Sequence, residues 1–167
     1  MELLRTARLT LRSWEVGDVD MFFDTYSRWS VMRWLGPPPR RVYESVDQAR
    51  RGIAAWASRE DPPLGLWAVV PAGETAPVGT ALLLPLSDAS GPTGEVEVGW
   101  HLHPDREGEG WATGAASALL ERAALPRVLA LTDPDNEKSQ AVCRRLGMTD
   151  EGLTDRWFKT TMRQYAT

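Results

Sequence analysis

Between Gly94 and Ala124 a strand, a glycine turn and a helix follow one another with no room for a linker. The strand alternates through Glu95-Val-Glu-Val-Gly-Trp-His-Leu102 and stops at Pro104. The turn reads Asp105-Arg-Glu-Gly-Glu-Gly110, and an alanine-rich helix opens at Trp111 and closes near Pro126. Glycines let the backbone approach a ligand without a side chain in the way. The N–H groups at the start of the following helix have no partner in the helix and attract anions. Such a unit implies a layered α/β chain with a site for a phosphorylated ligand.

The flanking segments extend that architecture. Residues 8–13 alternate as a first strand, and Val19, Phe22, Phe23 and Tyr26 give 18–28 a helical period. Gly36-Pro-Pro-Pro39 breaks the chain, and Ser45 caps a second helix that runs to Ser58 and ends at Asp61-Pro-Pro. Strands are predicted at 66–70 and 78–86, and Gly91-Pro-Thr-Gly94 turns the chain into the strand 95–102. A short apolar strand at 128–132, a helix capped by Asn136 and closed at Gly147, and strands near 150–153 and 156–165 complete the order. The expected fold is an α/β sandwich around a mixed sheet, in one domain spanning residues 1–167.

Composition narrows the function. A formal net charge of −4 argues against a nucleic-acid partner. One cysteine leaves no disulfide framework and fits a reducing, cytoplasmic setting. No apolar run has signal-peptide or membrane-spanning length. His101 and His103 stand at i, i+2, but no third ligand cluster completes a metal site. Gly108-x-Gly-x-x-x-Gly114, with Asp133 beyond, also suggests a dinucleotide turn; such a fold would begin with this unit and repeat it. The Gly-Lys-Ser/Thr of a nucleoside-triphosphate loop is absent.

In three separated segments the chain resembles the GNAT superfamily of acetyl-CoA-dependent N-acetyltransferases, and within it the group that includes the ribosomal-protein N-terminal acetyltransferases. Thr6-Ala-Arg-Leu-Thr-Leu-Arg12 is similar to that group's opening T-x-R-L-x-L-R. Glu97-Val-Gly-Trp-His-Leu-His-Pro104 with Gly108-Glu-Gly-Trp-Ala-Thr113 resembles E-x-G-Y…P…G-x-G-Y-A-T, and Asn136-Glu-Lys-Ser139 with Arg145-Leu-Gly-Met148 resembles N-x-x-S…K-L-G-F. The resemblance implies a mostly antiparallel sheet with helices on both faces, whose fourth and fifth strands (95–102 and 128–132) splay apart. It implies acetyl-CoA as co-substrate, no metal, and an amine acceptor that is a protein N-terminus or a small molecule. Homodimers are common in the family.

The resemblance carries roles residue by residue. Pantetheine would pair with backbone near Trp100 and Leu102, and the diphosphate would sit on N–H groups of the turn Gly108, Glu109, Gly110, Trp111, Ala112 and Thr113. Glu107 stands where a basic, amide or aromatic residue is usual, and Glu109 adds a second acid that Arg106 could offset. Arg145 would lie near the nucleotide, and Asn136 would serve the pantetheine arm or simply cap its helix. Glu97 would be the general base, with Glu95 of the same parity as fallback and His101 as an alternative. Ser139 would assist the departing thiolate, unless its hydroxyl only satisfies local backbone. Cys143 is expected to be a buried packing residue, Tyr165 is a distant acid candidate, and Trp29 and Trp34 fall where the acceptor site would form. A non-catalytic acyl-CoA sensor on the same scaffold is the rival reading.

Overall fold

A computed structural model describes all of residues 1–167. Eight strands form one sheet: β1 (Glu2–Arg5), β2 (Leu9–Ser13), β3 (Gly65–Pro71), β4 (Gly79–Asp88), β5 (Gly91–Leu102), β6 (Leu129–Thr132), β7 (Thr149–Thr154) and β8 (Met162–Ala166). Their spatial order is β1-β2-β3-β4-β5-β6-β8-β7. Every neighbouring pair is antiparallel except β5 and β6, which run parallel and share a single registered pair, Glu97 with Leu129. Past that point the two strands part, so the β6-side edge of β5 from Val98 to Leu102 has no strand partner. An unpaired edge in the middle of a sheet leaves backbone donors and acceptors free for a ligand.

The helices α1 (Val19–Tyr26), α2 (Trp29–Met32), α3 (Val46–Ala57), α4 (Trp111–Ala123) and α5 (Glu137–Arg145) cover the two faces. One face packs Leu9, Leu11, Trp67 and Ala81 against Trp111, Ala115 and Leu119 of α4, and continues through Val98 and Ala116 to Cys143 of α5. The other face carries an aromatic cluster in which Trp14, Phe22 and Tyr26 meet Ala49 and Ile53 of α3. There the Phe22 ring has Trp14, Tyr26, Tyr43 and Trp56 as neighbours with centroids 4.6 to 5.4 Å away. Arg12 anchors the start of α1 through a bidentate pair with Asp18 at 2.6 and 2.9 Å.

Several local expectations give way. The first strand of the sheet is β1, a short edge strand whose burial lacks alternation, and α2 is a single turn too short to show a period. Gly91–Gly94 is strand, not turn; the chain reverses at Ala89-Ser90, where the Ser90 N–H donates to Asp88 Oδ1 at 2.8 Å. A bulge absorbs the extra residues, with the Thr93 hydroxyl donating to the Leu86 carbonyl in place of a ladder bond. The last strand starts at Met162, because Trp157 turns into the core and its Nε1 donates to Gln164 Oε1 at 2.7 Å.

Candidate active site

The parting of β5 and β6 opens into a cleft of about 1640 Å³. The start of α4 lines one end, and residues 30–37 with Arg59 line the other. Gly108 and Gly110 both have φ above +80°, and a Cβ on Gly108 would meet nothing within 4 Å. Gly110 is the N-cap of α4 and supplies no side-chain bond; the first backbone bond of that helix runs from Gly114 N–H to Gly110 C=O. The N–H groups of Trp111, Ala112 and Thr113 therefore stay free at the cleft. Two arginines brace this turn from outside. Arg8 donates to the Glu109 carbonyl at 2.9 Å and stacks over Trp111 at 4.8 Å, a role that its place in the opening motif alone could not reveal.

Both acidic side chains of the turn are engaged. Lys138 Nζ pairs with Glu107 at 2.5 Å, and Arg106 Nε donates to Glu109 at 3.1 Å. Arg106 spends its remaining donors on Glu74, at 2.9 Å each, and does not line the cleft. It neutralises Glu109 from behind and is not aimed at a bound anion, because a bidentate carboxylate holds its fork away. Arg145 lies across from the turn, with Nε donating to Thr113 Oγ1 at 3.3 Å.

The middle of the cleft belongs to Glu97. Its carboxylate makes no hydrogen bond or ion pair within the protein, yet stays open to the cleft. Burial among Leu82, Leu84 and the strand edge pushes its pKa up to about 7, partly opposed by the charge of Arg59. Glu95 shares its parity but lies 3.8 Å from Arg127, which also holds Glu151, so it is a surface ion-pair residue. Ser139 lines the cleft one turn into α5, where Asn136 Oδ1 accepts its N–H at 3.2 Å. Its hydroxyl makes no bond within the protein and faces the cleft, unlike Ser58, whose hydroxyl returns to a backbone carbonyl.

The remaining candidates separate. Trp100 and Leu102 line the cleft from β5, and Trp34 lines its far end beneath the Arg33 guanidinium, 4.4 Å away. Trp29 is 55 % exposed and lies off the cleft. The Trp34 loop is tied to β6 by Arg40, which pairs with Asp133 at 3.3 Å and with the Arg33 carbonyl. That pairing leaves Asp133 no part in a ribose site, and the mainly antiparallel sheet is not a dinucleotide fold. Tyr165 is buried and donates to Gln140 Oε1, outside the cleft. Cys143 is fully buried, and desolvation pushes its thiol up to about 12. His103 donates from Nε2 to Asp24 at 2.9 Å and accepts the Asp105 N–H at Nδ1, capping the turn after β5. His101 instead has Tyr26 Oη 3.3 Å from its Nδ1, so the two histidines go to different partners, and no group of three or more His, Cys, Asp or Glu side chains could hold a metal. No helix is long and apolar enough to cross a membrane.

A sheet split between parallel strands, with an uncapped helix start at one end of the split, is an architecture that accommodates an elongated ligand carrying an anionic group. The chain matches the acetyltransferase (GNAT) domain family over residues 8–149 and belongs to that family. It is similar to the N-acetyltransferase YnaD of Bacillus subtilis, 37 % identical over 61 residues that cover 34 % of this chain and 36 % of YnaD. A GNAT-family acetyltransferase from Bacillus anthracis shares the fold at TM-score 0.79 with 23 % identity, over 100 % of this chain and 98 % of that one. So does RimL, a ribosomal L7/L12 alpha-N-protein acetyltransferase solved in complex with coenzyme A, at TM-score 0.76 and 18 % identity, over 100 % and 97 % of the two chains.

Proposed function

We propose that this protein transfers an acetyl group from acetyl-CoA to a primary amine by direct attack within a ternary complex. The observation that carries the reading is Glu97, an unpaired carboxylate with its pKa near 7 where β5 and β6 part. A base poised near neutrality takes a proton from an ammonium and is regenerated by solvent. Acetyl-CoA would supply an activated thioester carbonyl. The residues fit such a ligand: free N–H groups at the start of α4 for the diphosphate, open space at Gly108, acidic neighbours already neutralised, and Arg145 exposed nearby.

The chain's own groups then divide the work. The free edge of β5 near Trp100 orients the pantetheine arm and presents a backbone donor to the carbonyl oxygen. Glu97 accepts the amine proton directly or through one water, and the Ser139 hydroxyl, free within the protein, donates to the thiolate as it leaves. An α-amine, with pKa about 8, is easier to neutralise than a lysine near 10.4, which favours an N-terminus or a similarly weak base. The acceptor enters beside Trp34 and Arg59.

Calorimetry with acetyl-CoA, followed by thiol release against a panel of amines, tests the reading. Binding with release for one class of amine supports it and names the acceptor. Binding with no release for any amine, and a Glu97→Gln variant that binds equally well, would instead describe an acyl-CoA sensor.

A further inference from the structure

Behind His101 runs a hydrogen-bond chain whose direction is set at its far end. Trp14 Nε1 donates to Thr80 Oγ1 at 3.2 Å, Thr80 Oγ1 lies 2.6 Å from Tyr26 Oη, and Tyr26 Oη lies 3.3 Å from His101 Nδ1. An indole nitrogen can only donate. Thr80 Oγ1 therefore accepts from Trp14, and the one acceptor for its own proton is the Tyr26 oxygen. Thr80 is 0 % and Tyr26 1 % exposed, so water offers no alternative. The Tyr26 proton must then go to His101 Nδ1. Reversing the chain would strand the Thr80 proton in the core beside a group that cannot accept it.

With Nδ1 accepting, the neutral imidazole carries its proton on Nε2. Burial keeps the ring neutral, lowering its pKa to about 4. Nε2 has no partner within the protein, is not enclosed, and belongs to a residue that lines the cleft. A lone pair there, as a general base would need, is excluded by the tautomer.

We propose that His101 is a specificity-determining donor whose Nε2–H binds an oxygen of the acceptor, so that the site selects amines bearing a carbonyl or hydroxyl oxygen remote from the amine. The inference rests on Glu97 as the place where the acceptor amine is held. Glu97 and His101 project from the same face of β5, four residues or about 13 Å apart, with only Gly99 between them on that face. An acceptor reaching both is extended over several bonds, as the first residues of a polypeptide are.

Nitrogen-15 NMR of the histidine rings in the full protein tests the chain without reference to catalysis. The expected result for His101 is an unprotonated, pyridine-type Nδ1 and a protonated, pyrrole-type Nε2; the opposite assignment overturns the proposal. Tyr26→Phe, which keeps the ring, should give averaged tautomers, and a Nδ1 still wholly unprotonated would break the relay. Turnover of a peptide amide, an amino alcohol and an alkylamine of matched length then reads the selectivity. Wild type should favour one of the oxygen-bearing acceptors by on the order of tenfold in kcat/KM, and which one identifies the oxygen. His101→Phe should bring that ratio near one with acetyl-CoA affinity unchanged. A ratio unmoved by His101→Phe sinks the proposal and leaves Glu97 untouched, whereas full activity in Glu97→Gln sinks the base and leaves the tautomer standing.

Discussion

The two halves of the cleft are made of different material. At the α4 end the walls are main chain: glycines with positive φ, uncapped N–H groups and the bare edge of β5. Behind them lie small residues such as Ala115 and Ala116. At the other end they are side chains: Glu97, His101, Trp34 and Arg59, set against Trp14, Phe22, Tyr26, Tyr43 and Trp56. Backbone geometry is indifferent to most substitutions, which suits the invariant cofactor of the proposed function. Side-chain geometry changes with every substitution, which suits the acceptor of the proposed function.

The division predicts where mutations bite. The largest effect belongs to the aromatic half. Phe22 is 0 % exposed with four aromatic neighbours, and Phe22→Ala should cost about 3–5 kcal/mol in denaturant unfolding. A loss below about 1 kcal/mol would mean that the cluster is not what holds the acceptor end together.

Next in size is Glu97→Gln. Removing the base should lower kcat about a hundredfold and abolish the rise in rate with pH through about 7 that Glu97 ionisation gives. Stability should move the opposite way. The folded carboxyl titrates near 7 against 4.5 when unfolded, so across that window the native state holds the extra proton and stability falls as pH rises. By that linkage the buried charge costs about 3 kcal/mol above pH 7 and nothing below 4.5. Glutamine carries no such cost, and its unfolding midpoint should exceed wild type at pH 8 but match it at pH 4. Equal midpoints at both would show that Glu97 is solvated and unperturbed.

The same division decides what could be read from the sequence. The strand, turn and helix at 94–124 are legible because glycine, proline and alternation report local backbone, and local backbone is the site at that end. Glu97 was legible by position, yet its difference from Glu95 was not: Arg127, which neutralises Glu95, arrives from the loop between α4 and β6. Trp29 and Trp34 share one sequence context, and only the one-turn helix α2 decides that Trp34 lines the cleft. Arg106 sits beside the turn in sequence but is captured by Glu74, 32 residues upstream. The chain from Trp14 through Thr80 and Tyr26 to His101 joins two strands, a helix and the segment after β2, and no spacing announces it.

Gly110 and Gly114 sharpen the contrast within the backbone half. Gly110 has φ +85°, and Gly110→Ala should cost about 1–2 kcal/mol and weaken acetyl-CoA binding by tilting the first turn of α4. Gly114, one turn on, has ordinary helical backbone, and its added Cβ would meet Leu9 Cδ2 at a comfortable 3.5 Å. Gly114→Ala should therefore stabilise by up to about 1 kcal/mol with cofactor affinity intact. Similar losses at both positions would mean that space, not backbone conformation, is limiting.

The smallest effect tests whether side chains matter at all at the α4 end. Lys138 is 83 % exposed and its partner Glu107 37 %, so the pair adds well under about 1 kcal/mol to stability. Lys138→Ala should leave the unfolding midpoint in place. It also leaves Glu107 unneutralised beside the turn, and acetyl-CoA affinity measured by calorimetry should drop by about two- to fivefold at low salt. The deficit should fade as ionic strength rises toward 1 M, where charges are screened within about 3 Å. A loss that persists in high salt would mean that Lys138 touches the ligand directly, and the α4 end would then be built partly of side chains after all.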